Sequence, residues 1–307
     1  MSERKVSRNR VSLRAAVLEA TARLKEAGVP GAQVDAEILA AHLLGVPRTR
    51  LGLTPLVESE WLPPYEALIE RRAERIPLQH LLGTAVVGAT TVEVGPGVFI
   101  PRPETEVLLD WALTARADVS DPVVVDLCTG TGVIALAIAA QRPDAVVYAV
   151  EREPGALAWA RRNLERHRDR GGTPVHLRGG DIFDPRLLTD LDDRADLVTA
   201  NPPYVPADTP VEPEVSRHDP ATAVFAGPDG LAVIRPLISV AAGLLKTGGR
   251  LAIEHDAGQG ESVPALLRAR RVLTEVTDHP DLSGRPRFVT ARRVPLGGHS
   301  LPDSDRD

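Results

Sequence analysis

The stretch that decides the fold is residues 123–141, VVVDLCTGTGVIALAIAAQ. Its opening run, Val123–Leu127, is short and rich in valine, which is typical of a strand buried in a parallel sheet. The apolar run Val133–Gln141 predicts a buried helix, and only small residues lie between the two. Such a loop lets the backbone turn sharply and approach a ligand closely. Because parallel sheets bind ligands beyond the carboxyl ends of their strands, this unit predicts the binding edge of an α/β domain.

Strand and helix patterns alternate along the chain after about Glu104. The last two strand patterns are separated only by a turn-like segment, so they should pair as an antiparallel hairpin. The sequence therefore predicts a mixed seven-stranded sheet, parallel except for that hairpin and covered by helices on both faces. The other predicted strands are Val146–Val150, Val175–Arg178, Leu197–Ala200, Arg250–Glu254, Val272–Thr277 and Arg287–Arg292, and the other predicted helices are Pro154–Arg166, Leu231–Leu245 and Glu261–Ala269.

The first part of the chain has a different pattern. Three apolar stripes at helical spacing, over Leu13–Leu24, Val34–Leu44 and about Ser59 to Arg75, predict a small helical bundle. Short β-like runs broken by glycine follow, and they predict a hairpin linker. We therefore expect a helical domain over residues 1–82, a linker over 83–104, a sheet domain over 105–295 and a flexible tail over 296–307.

Composition narrows the class of protein. The formal net charge of −6 provides no general attraction to nucleic acid, and no apolar run approaches the ~20 residues of a membrane span. The one cysteine excludes an internal disulfide and suits a reducing compartment, so we expect a cytoplasmic protein. The eight histidines are dispersed without metal-ligand spacing, and we predict no metal site.

Acidic residues lie at the ends of three successive predicted strands: Asp126, Glu151 and Asp181. Glu151 lies about twenty residues after the glycine loop, where a carboxylate can accept hydrogen bonds from both hydroxyls of a ribose. Asp181 can accept from an adenine amino group while Ile182 covers the ring. The loop has neither the phosphate-binding glycine spacing nor a Walker lysine. We predict a nucleoside-containing cofactor bound by Asp126, Cys128, Thr129, Gly130, Thr131, Gly132, Glu151, Asp181 and Ile182.

The sequence NPPY at residues 201–204 directly follows the fourth predicted strand. The two prolines restrict the backbone and remove two donors, so the Asn201 side-chain oxygen and the Pro202 carbonyl can both face a ligand as acceptors. An amino group attached to a carbonyl or a heteroaromatic ring is a poor nucleophile. Two acceptors that hold its N–H bonds stabilise the positive charge that develops on attack. Tyr204 offers a flat face to the planar substrate group. The motif predicts methyl transfer to such a nitrogen.

With these motifs the chain resembles the protein-(glutamine-N5) methyltransferase family, which modifies class I peptide chain release factors. The resemblance covers nearly the whole chain. It includes IPRPETE at residues 100–106, the segments DGL at 229–231 and EH at 254–255, and DLSGR at 281–285. The resemblance implies the Rossmann-like fold of S-adenosylmethionine-dependent methyltransferases, and a role in translation termination.

The resemblance also implies roles for particular residues. Residues 128–132, Glu151, Ile182 and Asn201 would line the pocket for S-adenosylmethionine, whose product is S-adenosylhomocysteine. Asn201, Pro202 and Tyr204 would be catalytic and, with Pro203, would grip the glutamine amide of a Gly-Gly-Gln loop in the release factor. Residues 101–106 would help to wall the site, and the helical bundle would dock the protein substrate. We expect a monomer that binds neither nucleic acid nor a membrane directly.

Two departures and three alternatives accompany this interpretation. The linker has Val86 and Val87 where the family usually has an aromatic residue. The family's first loop glycine is Cys128 here, and because cysteine is small we expect a negative φ and retained cofactor binding. The nearest alternative is the sister activity on a glutamine of a ribosomal protein. Methylation of DNA adenine is another, because the same NPPY motif can grip an adenine amino group, although the chain shows no recognition domain. The third is a cofactor-binding protein without catalysis, against which the intact Asn201 and glycine loop argue.

Overall fold

The computed structural model describes residues 9–295, so the predicted tail over 296–307 lies outside the described residues. The helices are α1 Leu13–Glu26, α2 Ala32–Leu44, α3 Leu62–Ala73, α4 Leu78–Leu82, α5 Thr105–Ala115, α6 Val133–Gln141, α7 Pro154–Asp169, α8 Pro213–His218, α9 Ala221–Val224, α10 Ile234–Leu244 and α11 Ser262–Arg268. The strands are β1 Arg10–Ser12, β2 Leu56–Glu58, β3 Thr84–Val87, β4 Thr90–Glu93, β5 Val123–Leu127, β6 Val146–Glu151, β7 Val175–Gly179, β8 Ala195–Ala200, β9 Leu245–Glu254, β10 Leu273–Pro280 and β11 Pro286–Arg293.

The chain divides into two compact units. Among the described residues, the first unit contains residues 9–84 together with Glu212–His218, and the second contains Ala85–Val211 and residues 219–295. The segment Glu212–His218, which includes α8, therefore belongs to the helical unit although it lies far along the sequence. Nothing in the sequence pattern indicated this.

In the first unit, α1, α2 and α3 pack around a core that includes Leu24, Leu39 and Ile69. The three helices were predicted, but the predicted apolar stripe of α2 is wrong in part, because Val34 is 43% exposed whereas Leu39 is buried. Tyr65 is buried in this core, and its hydroxyl donates to the Ala36 carbonyl at 3.0 Å, which satisfies its polar end. The short strands β1 and β2 pair antiparallel, which the sequence analysis did not predict.

Three charged residues attach α8 to this unit. Arg72 donates to Glu214 at 2.7 Å and Arg75 donates to it at 2.6 Å, while Arg72 also donates to Asp35 at 2.7 Å. The side chains of Arg72, Arg75 and Glu214 are only 6%, 13% and 14% exposed. Because water screens charges little at such positions, this ion-pair cluster is a structural feature of the first unit rather than a surface detail.

The second unit is built on one seven-stranded sheet, in the order β10-β11-β9-β8-β5-β6-β7. Strands β5 to β9 are parallel, and β11 pairs antiparallel with both β9 and β10. The predicted mixed sheet with a terminal antiparallel hairpin is confirmed. This order places the end of β5 between the ends of β6 and β8, so the loops after these strands meet at one edge.

Two apolar clusters cover the sheet. One contains α10 and α11, and the other contains α5 and α6, whose residues 133–139 are all buried. The predicted buried helix after the glycine loop is confirmed. Helix α5 was not predicted, although its Leu108, Leu109 and Ala112 are buried. Within residues 9–295, no helix is long and apolar enough to cross a membrane.

Candidate active site

The loop between β5 and α6 has a left-handed backbone at three of its five residues. The φ angles are 58° at Cys128, 57° at Gly130 and 83° at Gly132. The prediction of a negative φ at Cys128 is wrong, because the sharp turn directly after β5 has a left-handed backbone at this residue. The Thr129 amide donates to the Val150 carbonyl at 2.9 Å, and this bond holds the turn against the neighbouring strand β6.

Asp126 lies beneath the loop and has no exposed surface. Its carboxylate accepts from the Thr199 hydroxyl at 2.7 Å and from the Thr129 hydroxyl, which belongs to the loop. Burial raises the pKa of Asp126 to about 6, and these hydrogen bonds oppose the rise. Asp126 thus joins the end of β5, the loop and the neighbouring strand β8.

Glu151 ends β6 beside the loop and is 8% exposed. One carboxylate oxygen accepts from the amides of Arg152 and Glu153, both at 2.8 Å. The other accepts from the Gly130 amide at 2.9 Å, which leaves that oxygen one further lone pair. Glu151 is therefore held firmly against the glycine loop while it keeps acceptor capacity for a ligand.

The loop after β7 brings Asp181 and Ile182 to the same edge. One oxygen of Asp181 accepts from the Phe183 amide at 3.0 Å, and its side chain is 41% exposed. Ile182 is buried in the core that also contains Val150, near the end of β6. The two predicted adenine contacts therefore lie one strand beyond Glu151, as the sheet order requires.

Two observations show that the loop can accommodate a polar ligand. The Thr131 hydroxyl is buried and makes no hydrogen bond, although buried hydroxyls in proteins are generally paired. Space is open over Gly130, where a Cβ atom would meet no heavy atom within 4 Å. The Thr131 carbonyl accepts from the Asn163 side-chain amide at 3.0 Å. The backbone of Thr131 is therefore held in place, although the hydroxyl of the same residue has no partner.

The NPPY segment begins directly after β8. The Asn201 Nδ2 donates to the Thr105 hydroxyl at 3.2 Å, and the Tyr204 hydroxyl donates to the Glu254 carboxylate at 3.0 Å. The Gln259 amide donates to the Tyr204 carbonyl at 3.0 Å. Both ends of the segment are thus held by side chains. The close passage of the Tyr204 carbonyl also requires glycine at position 230, where a Cβ atom would lie 2.1 Å from that oxygen.

Sequence reasoning missed three residues whose side chains hold the segments at this edge of the sheet. Thr105 and Glu254 lie within segments that carry the family resemblance, but no pattern indicated that they would meet. Asp219 is the third. It accepts from the Arg102 guanidinium and from the Ile100 amide, and so holds the segment 100–106. Burial raises the pKa of Asp219 to about 6, and the charge of Arg102 opposes the rise.

Comparison with known families matches both units. Residues 15–83 match the family described as the PrmC N-terminal domain, and residues 95–215 match the methyltransferase small domain. The second match contains the glycine loop, Glu151, Asp181 and the NPPY segment.

Relatives of known description match nearly the whole chain. A release factor glutamine methyltransferase of Mycolicibacterium smegmatis is 51% identical, and the alignment covers 92% of this chain and 98% of that protein. Proteins of the same description from Streptomyces coelicolor and Deinococcus radiodurans are 47% and 43% identical over 92% of this chain, and over 98% and 99% of their own lengths. This chain belongs to the release factor glutamine methyltransferase family.

Membership of the release factor glutamine methyltransferase family identifies the second unit as a methyltransferase domain. The predicted enzyme class and the predicted fold class are confirmed. Among residues 9–295 there is no group of three His, Cys, Asp or Glu side chains that could hold a metal ion.

Proposed function

We propose that this protein transfers a methyl group from S-adenosylmethionine to the side-chain amide nitrogen of the glutamine in the Gly-Gly-Gln loop of class I peptide chain release factors. One observation carries the proposal. The Asn201 amide donates through Nδ2 to Thr105, so its Oδ1 remains available as an acceptor at the end of β8. An acceptor held in this way suits a substrate NH2 group, and the relatives named above act on release factors.

The residues around the glycine loop suit S-adenosylmethionine. When bound, this cofactor supplies an electrophilic methyl group on a sulfonium sulfur. Glu151 has a lone pair for a ribose hydroxyl, and the exposed Asp181 has acceptor capacity for the adenine amino group. Thr131 has an unsatisfied hydroxyl for a polar end of the ligand. Because Asp126 is fully buried, we assign it to supporting the loop from below.

The substrate amide would be held by Asn201 and Pro202. The Asn201 Oδ1 and the Pro202 carbonyl accept its two N–H bonds and favour a more pyramidal nitrogen. The resulting partial positive charge is stabilised by two oxygen dipoles that are already in place. Tyr204 and Pro203 contact the planar amide group. Since translation termination takes place in the cytoplasm, the enzyme would act there.

The first unit would dock the folded release factor. A single glutamine amide is weakly nucleophilic, so binding energy from a distant part of the substrate is useful to position it. A peptide that carries only the Gly-Gly-Gln loop should therefore be a much poorer substrate than the intact factor. Equal kcat/KM for peptide and factor would contradict the docking role.

The test is methylation with S-adenosylmethionine labelled at the methyl group. Purified class I release factor, ribosomal proteins and duplex DNA are each incubated with the protein, and the labelled residue is identified by mass spectrometry. We expect label on the glutamine of the release factor, and we expect Asn201→Ala to retain less than about a tenth of turnover while it still binds cofactor. Label on a ribosomal glutamine or on adenine instead would reject the release factor as substrate.

A further inference from the structure

Asn201 can serve as an acceptor only if its amide has the correct orientation. An asparagine amide has one acceptor end and one donor end, of nearly equal shape. Rotation by about 180° would present Nδ2 to the substrate, and two NH2 groups would then face each other. Something in the protein must therefore select between the two orientations.

The hydroxyl of Thr105 makes this selection. Thr105 is 1% exposed, and its hydroxyl has one proton, which it donates to the Glu254 carboxylate at 2.9 Å. With its proton used in this way, the hydroxyl can only accept from Asn201, which contacts it at 3.2 Å. The reversed amide would place oxygen against oxygen without a proton between them.

Glu254 determines the direction of the whole chain of hydrogen bonds. It is fully buried at the end of β9, and β9 pairs with β8 so that Ile253 lies opposite Ala200. Glu254 therefore lies beside Asn201, one position further along both strands. In its hydrogen bond with Glu254, the Thr105 hydroxyl is the donor and the carboxylate oxygen is the acceptor.

The same carboxylate holds the other end of the motif. Its second oxygen accepts from the Tyr204 hydroxyl at 3.0 Å. Burial raises the pKa of Tyr204 well above its ordinary value, and the charge of Glu254 acts in the same direction, so the phenol keeps its proton and remains a donor. Burial also raises the pKa of Glu254, whereas the hydrogen bonds from Thr105 and Tyr204 and the charge of Arg287 oppose the rise.

We propose that Thr105 and Glu254 are positioning residues that hold the Asn201 amide with its oxygen facing the substrate and fix Tyr204 beside it. The inference deepens the proposed function and rests on it for its kinetic consequences. Neither residue needs to touch the substrate. Their effect is on the orientation of groups that do, and it should appear in kcat rather than in the binding of cofactor or release factor.

Thr105→Val tests the proposal, because valine has nearly the same shape and lacks the hydroxyl. We expect kcat on the release factor to fall roughly 10- to 100-fold, with KM and the cofactor dissociation constant within about twofold of wild type. Thr105→Ser restores the hydroxyl and should return kcat to within about threefold. Glu254→Gln should also lower kcat. A glutamine amide has only one acceptor end, so its NH2 group must face the hydroxyl of either Thr105 or Tyr204, and that hydroxyl can no longer donate to residue 254.

A matched control separates positioning from general loss of stability. Thr290 is a buried threonine on β11, where its hydroxyl contacts His279, and it takes no part in the chain that ends at Asn201. Thr290→Val should leave kcat near the wild-type value. If Thr105→Val behaved like Thr290→Val, or if Thr105→Ser failed to restore kcat in a folded protein, the positioning role would be rejected.

A second measurement works without a substrate. In the cofactor-bound protein, the side-chain NH2 protons of Asn201 should exchange slowly with solvent because one of them is bonded to Thr105. NMR should show faster exchange and a changed chemical shift in Thr105→Val but not in Thr290→Val. Unchanged exchange would overturn this inference and leave the proposed function intact. Failure of wild type to label release factor would instead reject the proposed function, while the exchange data still decide the orientation.

Discussion

At the scale of single residues, Cys128 shows a conflict between a side chain and its backbone. Its φ of 58° lies in the left-handed region, which costs a non-glycine residue roughly 1–2 kcal/mol. Cys128→Gly removes this strain but loses side-chain packing, so we expect the free energy of unfolding to change by less than about 1 kcal/mol. Cys128→Val places a β-branched residue there and should cost about 2 kcal/mol or more. Urea unfolding of both variants measures the difference, and equal stabilities would contradict the strain at this position.

A second prediction at this scale concerns Glu151. Because it braces the Gly130 amide and keeps a lone pair for the ribose, Glu151→Ala should weaken S-adenosylmethionine binding by about 1–3 kcal/mol. Glu153→Ala, two residues further along and more exposed, is the control and should bind normally. Calorimetric titration of the two variants provides the test. Normal affinity in Glu151→Ala would remove Glu151 from the cofactor site.

At the scale of elements, the most informative feature is the attachment of α8 to the helical unit. Burial tends to raise the pKa of Glu214, but the hydrogen bonds from Arg75 and Arg72 outweigh it and lower the pKa to about 2. The ion pairs of Glu214 with Arg72 and Arg75 therefore stabilise the folded protein fully at any pH above the ordinary glutamate pKa. This contribution to the free energy of unfolding is lost only as the pH falls toward 2.

Removal of Glu214 should accordingly destabilise this unit at neutral pH. Glu214→Ala leaves two largely buried guanidinium groups without their common partner, and we expect a loss of about 2–4 kcal/mol. The matched control is Glu70→Ala, whose partner Arg23 lies 3.4 Å away and whose side chain is 62% exposed. Hydrogen exchange of the α8 amides should accelerate in the first variant and not in the second. Equal exchange in both would show that the ion pairs do not hold α8.

Most elements could be predicted because their patterns are local. The alternation of valine-rich runs, glycines and apolar helices placed α6 and most parallel strands within two residues of their observed bounds, whereas β9 begins at Leu245 rather than at the predicted Arg250. Helix α5 was missed because no element was assigned between the proline-rich motif at residues 100–106 and the first predicted strand, although Leu108, Leu109 and Ala112 lie at helical spacing. The membership of α8 in the first unit depends on ion pairs 139 and 142 residues apart in sequence, which no local pattern reveals.

At the scale of the whole molecule, two buried carboxyls make folding stability depend on pH. The pKa values of Asp126 and Asp219 are both raised to about 6, above the ordinary 3.8, and burial is the main cause for each. Because the carboxyl pKa is higher in the folded protein, the folded protein binds more protons than the unfolded chain at pH values between the two pKa values. Stability should therefore fall as the pH rises from about 4 to about 6.5.

Asp126→Asn tests this dependence because it removes one of the two titrating groups. Relative to this variant, the wild type should lose on the order of 2 kcal/mol between pH 4.5 and pH 7, as measured by urea unfolding. Asp144→Asn is the control. The hydrogen bond from Arg142 lowers the pKa of Asp144 to about 2, so that group is ionised across the whole range. A parallel pH profile for wild type and Asp126→Asn would show that Asp126 does not titrate near 6.

The sequence by itself determined the order of the seven sheet strands along the chain, the parallel sheet with its antiparallel hairpin, and the placement of the glycine loop, Glu151 and NPPY at strand ends. These features follow from periodicity and from glycine and proline, which act on the chain over a few residues. Only the tertiary structure decided that Thr105, Asn201 and Glu254 form one chain of hydrogen bonds, across separations of 96 and 149 residues. The reason is physical. Which strands become neighbours depends on packing of the whole sheet, and a hydrogen bond has a direction only once its donor and acceptor have met.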